Sequence, residues 1–467
     1  MNMSSSTSSA PSAAAPADGL PLPSRYWAIL AIGLGVTVSV LDGAIANVAL
    51  PTIAGDLHTT PSASIWVVNA YQLAITISLL SLSSIGEIGG YRKVYTGGLL
   101  LFSCTSLACA LSDSLVTLII ARTLQGFGAA AIASVNTALI RIIYPKRFLG
   151  RGMGLNALIV SVSAAAGPTI ASAILSVANW PWLFAVNIPI GVSALILSCK
   201  FLPPNPVHIE GRRFDWTAGV MNALTFALLI GIIEAFTHDL KWYYIVAGSM
   251  AALICGYVFI RRENRKDYPL FPVDLLRIPL FSLSIVTSIF SFIAQMLAMV
   301  SMPFFLQRVL GRSEVATGLL LTPWPLATMI FAPLAGRLMD RVKPGILGCI
   351  GLLIFGAGLW LLAVLPPHPS DLEISWRMAV CGAGFGLFQT PNNSTIIASA
   401  PESRSGGASG MLGTARLMGQ TLGASLVALM FKVFPGHTAH ASLLLGCALS
   451  VVGAFISLLR IGRASRQ

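Results

Sequence analysis

Apolar runs of helix length, separated by short polar turns, repeat along almost the whole chain. A membrane-crossing helix needs about 20 mostly apolar residues. On that scale the pattern predicts fourteen spans, near 27–50, 64–87, 94–112, 115–140, 152–177, 181–201, 216–236, 242–260, 279–305, 315–337, 345–365, 375–397, 406–431 and 439–460. A transmembrane barrel would instead alternate over segments of about ten residues, so the expected fold is an all-α polytopic membrane protein. The longest polar stretches after the N-terminal tail, 202–215 and 261–277, bracket two spans and leave six before them and six after. A weak internal echo supports two sixes: residues 83–93 (SSIGEIGGYRK) follow the second span, and 336–343 (GRLMDRVK) follow the second span of the later six. Such repeats are common in transporter folds, with the substrate path between them. The expected organisation is a disordered tail (1–24), a six-helix bundle (25–201), linker loops with two extra helices (202–277), a second six-helix bundle (278–460) and a short tail (461–467).

Composition removes most other classes. Hydrophobic residues make up 55% of the 467 and charged residues 10%, against about 25% charged in an ordinary soluble domain. The net charge of +12 does not point to nucleic acid, because the basic residues punctuate the apolar runs instead of interleaving with aromatics on one face. They report orientation: 22 of the 29 Lys/Arg lie on the side of the N-terminus, and five (Lys241, Arg308, Arg312, Arg377 and Lys432) on the other. By the positive-inside rule both termini are cytoplasmic. The seven cysteines all lie in or beside apolar segments without a CxxC pair, as small buried hydrophobes do. Six scattered histidines form no catalytic constellation, and there is no GxxxxGK[ST] loop. No enzyme activity, cofactor or metal is expected.

Of 17 acidic residues only Asp42 falls well inside a predicted span. An intramembrane carboxylate is costly and by default a functional candidate, because burial disfavours its charged form and suits it to proton exchange. Arg122, in the fourth span, lies at matching depth: at 1.5 Å per residue the two are roughly 13 and 10 Å from the same end of their helices. An ion pair that breaks when Asp42 takes up a proton would couple protons to motion, whereas a static pair would be architecture. In the fifth span Gly167-Pro168 sits in a small-residue run with a proline kink, suited to close helix approach. Arg416 is a second intramembrane cation, either bonded to polar groups such as Gln389, Asn392, Asn393 and Gln420 or available to an anionic substrate. Trp66, Asn69, Tyr71 and Gln72, with Gln295, Met296, Met299 and Met302, are candidates to line a cavity, since aromatic and Met side chains suit varied ligands; plain packing is the competing reading.

These residues resemble the major facilitator superfamily, and within it the fourteen-span drug:proton antiporters, including inner-membrane members from enterobacteria. The likeness lies in Leu41–Ile53 (LDGAIANVALPTI), Trp66–Leu73 (WVVNAYQL), Arg122–Gly128 (RTLQGFG), Gly167-Pro168, Trp180–Phe184 (WPWLF) and Asn187–Gly191 (NIPIG), in that order. The resemblance implies a major facilitator fold, proton coupling at Asp42 and Arg122, and an antiporter motif at Gly167 and Pro168. It also implies a cytoplasmic gate of Glu87, Arg92 and Lys93, with Asp340 and Arg341 in the later repeat. The substrate cavity expected from the residue types comprises Trp66, Asn69, Tyr71, Gln72, Gln295, Met299, Asn392, Asn393 and Arg416. The gate motif departs from the family in carrying Ser83 and Glu87 where Gly and Asp are usual. Relatives that expel dications carry extra acidic residues in later spans, and this chain does not. The expected function is proton-coupled export of lipophilic or cationic drug-like compounds across the inner membrane by a monomer whose partners are its substrate, protons and lipid. A dedicated exporter of an anionic or zwitterionic metabolite is the alternative, and a non-transporting sensor or enzyme the more distant one.

Overall fold

The structure is a computed structural model that describes residues 19–145, 148–204, 214–237, 241–266, 271–339, 341–401 and 404–460. Most of both tails lies outside the described residues. Among those described there is no strand, and the long helices run in chain order: α1 (Ser24–Asp56), α2 (Pro61–Gly89), α3 (Tyr91–Ala110), α4 (Leu115–Ile143), α5 (Leu149–Leu175), α6 (Pro181–Phe201), α7 (Trp216–Thr237), α8 (Trp242–Glu263), α9 (Pro279–Val309), α10 (Glu314–Leu338), α11 (Pro344–Ala363), α12 (Asp371–Ser399), α13 (Ser405–Val433) and α14 (Thr438–Leu459). Each coincides with an apolar run of the sequence.

Eleven of these helices are long and apolar enough to cross a membrane, fewer than the fourteen spans expected. α7 is apolar over Trp216–Ile232, the part whose side chains are described, and the other two fall short for visible reasons. α12 opens on Asp371 and Glu373 and carries Gln389, Asn392 and Asn393 further along, while α13 mixes Arg416 and Lys432 with many Gly, Ser and Thr. Polar content in a helix marks one that faces protein or a water-filled path more than lipid.

Local chemistry sets the helix ends. Ser114 and Thr117 form a capping box that starts α4, and Ser370 and Glu373 do the same for α12, satisfying amides that would otherwise lack partners. In α9, Pro303 supplies no amide to the ladder, and the helix ends in a π turn over Phe305–Val309.

α1–α6 pack on one another, as do α9–α14. The second bundle is centred on edge-to-face rings, Trp324 on Phe355, Phe355 on Phe385 and Phe385 on Phe292, with centroids 5.4–5.6 Å apart. α7 and α8 pack together, and α7 lies against both α2 and α13, where Asn222 donates to the Ile77 carbonyl (3.0 Å). Asp215, just before α7, is bridged by Lys266 (2.7 Å) and Arg262 (3.2 Å) from the end of α8. Partial burial works against ionisation of Asp215, but Lys266, the Ala218 amide and Arg262 outweigh it and hold the carboxyl at about 2, so the clamp is charged at neutral pH.

Hydrogen bonds between the bundles gather toward the end at which α1 finishes. Thr52 donates to Glu314 Oε1 (2.5 Å), Gln307 to the Val48 carbonyl (3.2 Å), and the Thr169 and Thr322 hydroxyls lie 2.8 Å apart. Along α2 and α13, Asn69 donates to Ser425 (3.1 Å) and the hydroxyls of Thr76 and Thr421 are 3.4 Å apart.

Candidate functional site: a buried carboxylate and its arginine

Asp42 sits near the middle of α1 and is 1% exposed, and Arg122 on α4 is 0% exposed. Arg122 Nη1 is 2.5 Å from Asp42 Oδ2. The depths inferred from the sequence therefore do bring the two together. A buried ion pair is tolerable only when its remaining polar atoms are also satisfied, and here most are. Gln125 Nε2 and Asn187 Nδ2 donate to Asp42 Oδ1 at 3.2 and 2.7 Å. Arg122 donates through Nε to the Val67 carbonyl (3.0 Å) and through Nη1 to Gln125 Oε1 (2.7 Å). Gln125 also donates to Ser106 (2.8 Å) and accepts a contact from the Cys109 thiol (3.5 Å). The guanidinium carbon lies 4.1 Å from the Tyr71 ring centroid and 5.4 Å from that of Phe184. α1, α2, α3, α4 and α6 all contribute to one charge centre inside a single bundle.

Gln125 and Asn187 lie in the RTLQGFG and NIPIG motifs, but nothing in those motifs assigns them a role beside Asp42. The available signal for Gln125 was its position three residues after Arg122, which places both on one face of α4. Nothing local marks Asn187, which comes from α6. Tyr71 was expected to line a cavity; it is 3% exposed, its ring covers Arg122, and its hydroxyl donates to the Ser39 carbonyl (3.2 Å).

The structure sorts the other expected residues. Asn69, 1% exposed, bonds across the bundles to Ser425, and Met296 and Met302 are core. Asn392 is also withdrawn from any cavity: it is buried, accepts from Arg460 (2.6 Å) and donates to Ser288 (2.8 Å). Trp66, Gln295, Met299, Asn393 and Arg416 are half-buried, while Gln72 is buried with its Oε1 lacking a hydrogen-bond partner. At the far end of α2, Glu87 is half-buried, Arg92 donates to the Cys199 carbonyl of α6, and Lys93 is exposed. Arg341 is exposed, and Asp340 lies outside the described residues.

Gly167 and Pro168 occupy the seam between α1, α5 and α10. A Cβ on Gly167 would come within 2.4 Å of the Ala44 Cβ on α1, so this close approach requires glycine. On the other side of the seam, Gly318 of α10 is pressed against α5 of the first bundle: a Cβ there would lie 2.4 Å from the Pro168 carbonyl oxygen and still closer to the Ser172 hydroxyl.

The family model "Major Facilitator Superfamily" matches residues 32–424 and again 283–465. The chain is 62% identical to "Uncharacterized transporter YebQ" of Escherichia coli (strain K12) over 445 residues, 95% of this chain and 97% of the relative. It is 28% identical to "Riboflavin transporter RibZ" of Clostridioides difficile (strain 630), covering 89% and 91% of the two chains. It is 30% identical to "Tetracenomycin C resistance and export protein" of Streptomyces glaucescens, covering 94% and 83%. The chain thus belongs to the Major Facilitator Superfamily and is a multi-pass membrane transporter, not an enzyme.

Proposed function

We propose that the chain is a proton-coupled antiporter that exports small organic compounds across the inner membrane by alternating access, with both termini in the cytoplasm. The observation that carries this reading is the buried Asp42–Arg122 pair with its ring of donors. A proton on Asp42 removes the charge that holds Arg122, Gln125 and Asn187, so α1 and α4 no longer attract each other as strongly. The consequence travels along α1. Val48 and Thr52, which bond to Gln307 and Glu314 of the second bundle, follow Asp42 by about 9 and 15 Å on the same helix at 1.5 Å per residue. With the N-terminus inside, that end faces outward, and the contacts there close the outer path. Loosening α1 from α4 would bias this closure, which is the two-state element that proton coupling needs. In this reading α7, α12 and α13 also cross the membrane, and α1–α6 and α9–α14 are the moving halves.

The relative named for tetracenomycin C export supports drug-like substrates. A second reading, export of a specific metabolite, is supported by the relative named for riboflavin and by the half-buried Arg416 in a bundle whose described acidic residues lie at helix ends or in connecting turns. Inside-out vesicles loaded with protons and given a lipophilic cation, a neutral lipophile and a weak organic acid test the substrate class. Proton release with several unrelated lipophiles fits a multidrug exporter. Release on adding the acid alone contradicts it, and release with none of a broad panel contradicts proton-coupled export itself.

A further inference from the structure

Three arginines lie within or at the end of the buried helices, and two of them have side-chain partners in the protein. Arg122 has Asp42. Arg460 is 2% exposed and donates to the oxygens of Ser284, Asn392 and Ser457. Arg416 differs: it makes no hydrogen bond or ion pair with any described residue, its Nε is buried without a partner, and the side chain is only half-buried. An intramembrane cation with no acceptor inside the protein is costly, and the half-exposed side chain leaves Arg416 open to an acceptor from outside the protein.

The packing of α13 shows where Arg416 stands. Gly413, Thr421 and Ser425 meet α2, whereas Gly419 and Gly423 meet Phe292 and Met296 of α9. At about 100° per residue, Arg416 and Gln420 fall on the arc between those two contact faces, toward the space enclosed by α2 and α9. The same contacts set the level: Gly419 beside Phe292 places Arg416 near residue 289 of α9, and Asn392 beside Ser288 places Gln389 of α12 at a similar height. Gln295 and Met299, further along α9, are half-buried, as are Gln389 and Gln420. On this register Gln389 and Gln420 share the level of the guanidinium, and Gln295 and Met299 stand about 9 and 15 Å further along α9.

We infer that Arg416 is the recognition point for a carboxylate or similarly planar anionic group on the transported compound, with Gln420 and Gln389 at its level and Gln295 further along the path offering neutral hydrogen bonds. A guanidinium presents a planar fork suited to a carboxylate. Asp42 cannot serve as a counter-charge for a cationic substrate, because it is 1% exposed and engaged by three side chains. The inference names the substrate class for the transporter proposed above and rests on that reading.

Equilibrium binding to the purified full-length protein separates the two. The probes are 1-naphthoate, 1-naphthamide and 1-naphthylmethylammonium, which share a ring and differ in charge, read by quenching of tryptophan fluorescence. The wild type should bind naphthoate at least tenfold more tightly than the amide or the ammonium. Arg416→Gln should bring the ratio of naphthoate to naphthamide affinity to about one, and Arg416→Lys should retain part of the preference. Equal affinities in the wild type, preference for the ammonium, no measurable naphthoate binding, or an undiminished preference in Arg416→Gln would each overturn the inference. Proton flux measured on the same protein after reconstitution keeps the readings apart. Proton coupling without carboxylate preference overturns only the role of Arg416, and carboxylate preference without proton coupling overturns only antiport.

Discussion

Asp42 is held by three partners, and the hydrogen bonds they make are of the charge-assisted kind. Hydrogen bonds to charged groups contribute about 1.5–3 kcal/mol each. Asn187→Ala, which removes the 2.7 Å donor, should therefore lower stability by roughly 2 kcal/mol. In an Asp42→Ala background the same change should cost at least about 1 kcal/mol less, because contacting residues are not additive. Unfolding in mixed micelles measures both values, and full additivity would mean that Asn187 does not act on Asp42. At this scale the sequence was informative for charge and much less so for amides. A lone carboxylate and an arginine at matching depth stand out in an apolar chain, since each carries a large cost of burial. Asn187 and Gln125 carry a small one, so their types announce little, and only the meeting of α1, α4 and α6 gives them a role. The same physics explains Asn392 and Tyr71: polar side chains in spans were read as cavity lining, but they satisfy Arg460 and cover Arg122 instead.

Among the elements, helix positions follow the hydrophobic runs closely because lipid demands that backbone groups be bonded within each helix. Which helices touch is a different matter, set by close approaches that no run of apolar letters reveals. Gly167 against Ala44 and Gly318 against Pro168 and Ser172 are such points. Gly318→Leu would force α5 and α10 apart and weaken the closure that includes Thr52 and Glu314. In a protein carrying Thr52→Cys and Glu314→Cys with its native cysteines replaced, oxidation should form a cross-link in high yield, and adding Gly318→Leu should reduce that yield several-fold. An unchanged yield would show that the α5–α10 seam does not govern the closed state. The polar composition of α12 and α13 belongs to this scale too: both were expected as ordinary spans, and both fall short in apolarity because each supplies polar groups to the molecule's interior.

For the molecule as a whole, hydrogen bonds between the two bundles gather at the end where α1 terminates, and Asp42, paired with Arg122, lies on that same helix. α7, lodged against α2 and α13 and clamped to α8 through Asp215, spans the place where the bundles adjoin. The superfamily membership was legible from ordered motifs spread across the chain, whereas substrate chemistry was not, because it depends on which interior side chains are left unpaired once the helices pack. The central claim is that Asp42 links proton movement to transport. Its most direct test uses reconstituted wild-type and Asp42→Asn protein with a compound that releases protons in the vesicle assay, comparing gradient-driven accumulation with exchange at equal concentrations on both sides. Asp42→Asn should lose accumulation driven by a proton gradient while still exchanging compound across the membrane, with a rate insensitive to that gradient. Accumulation at the wild-type rate in Asp42→Asn would contradict the account.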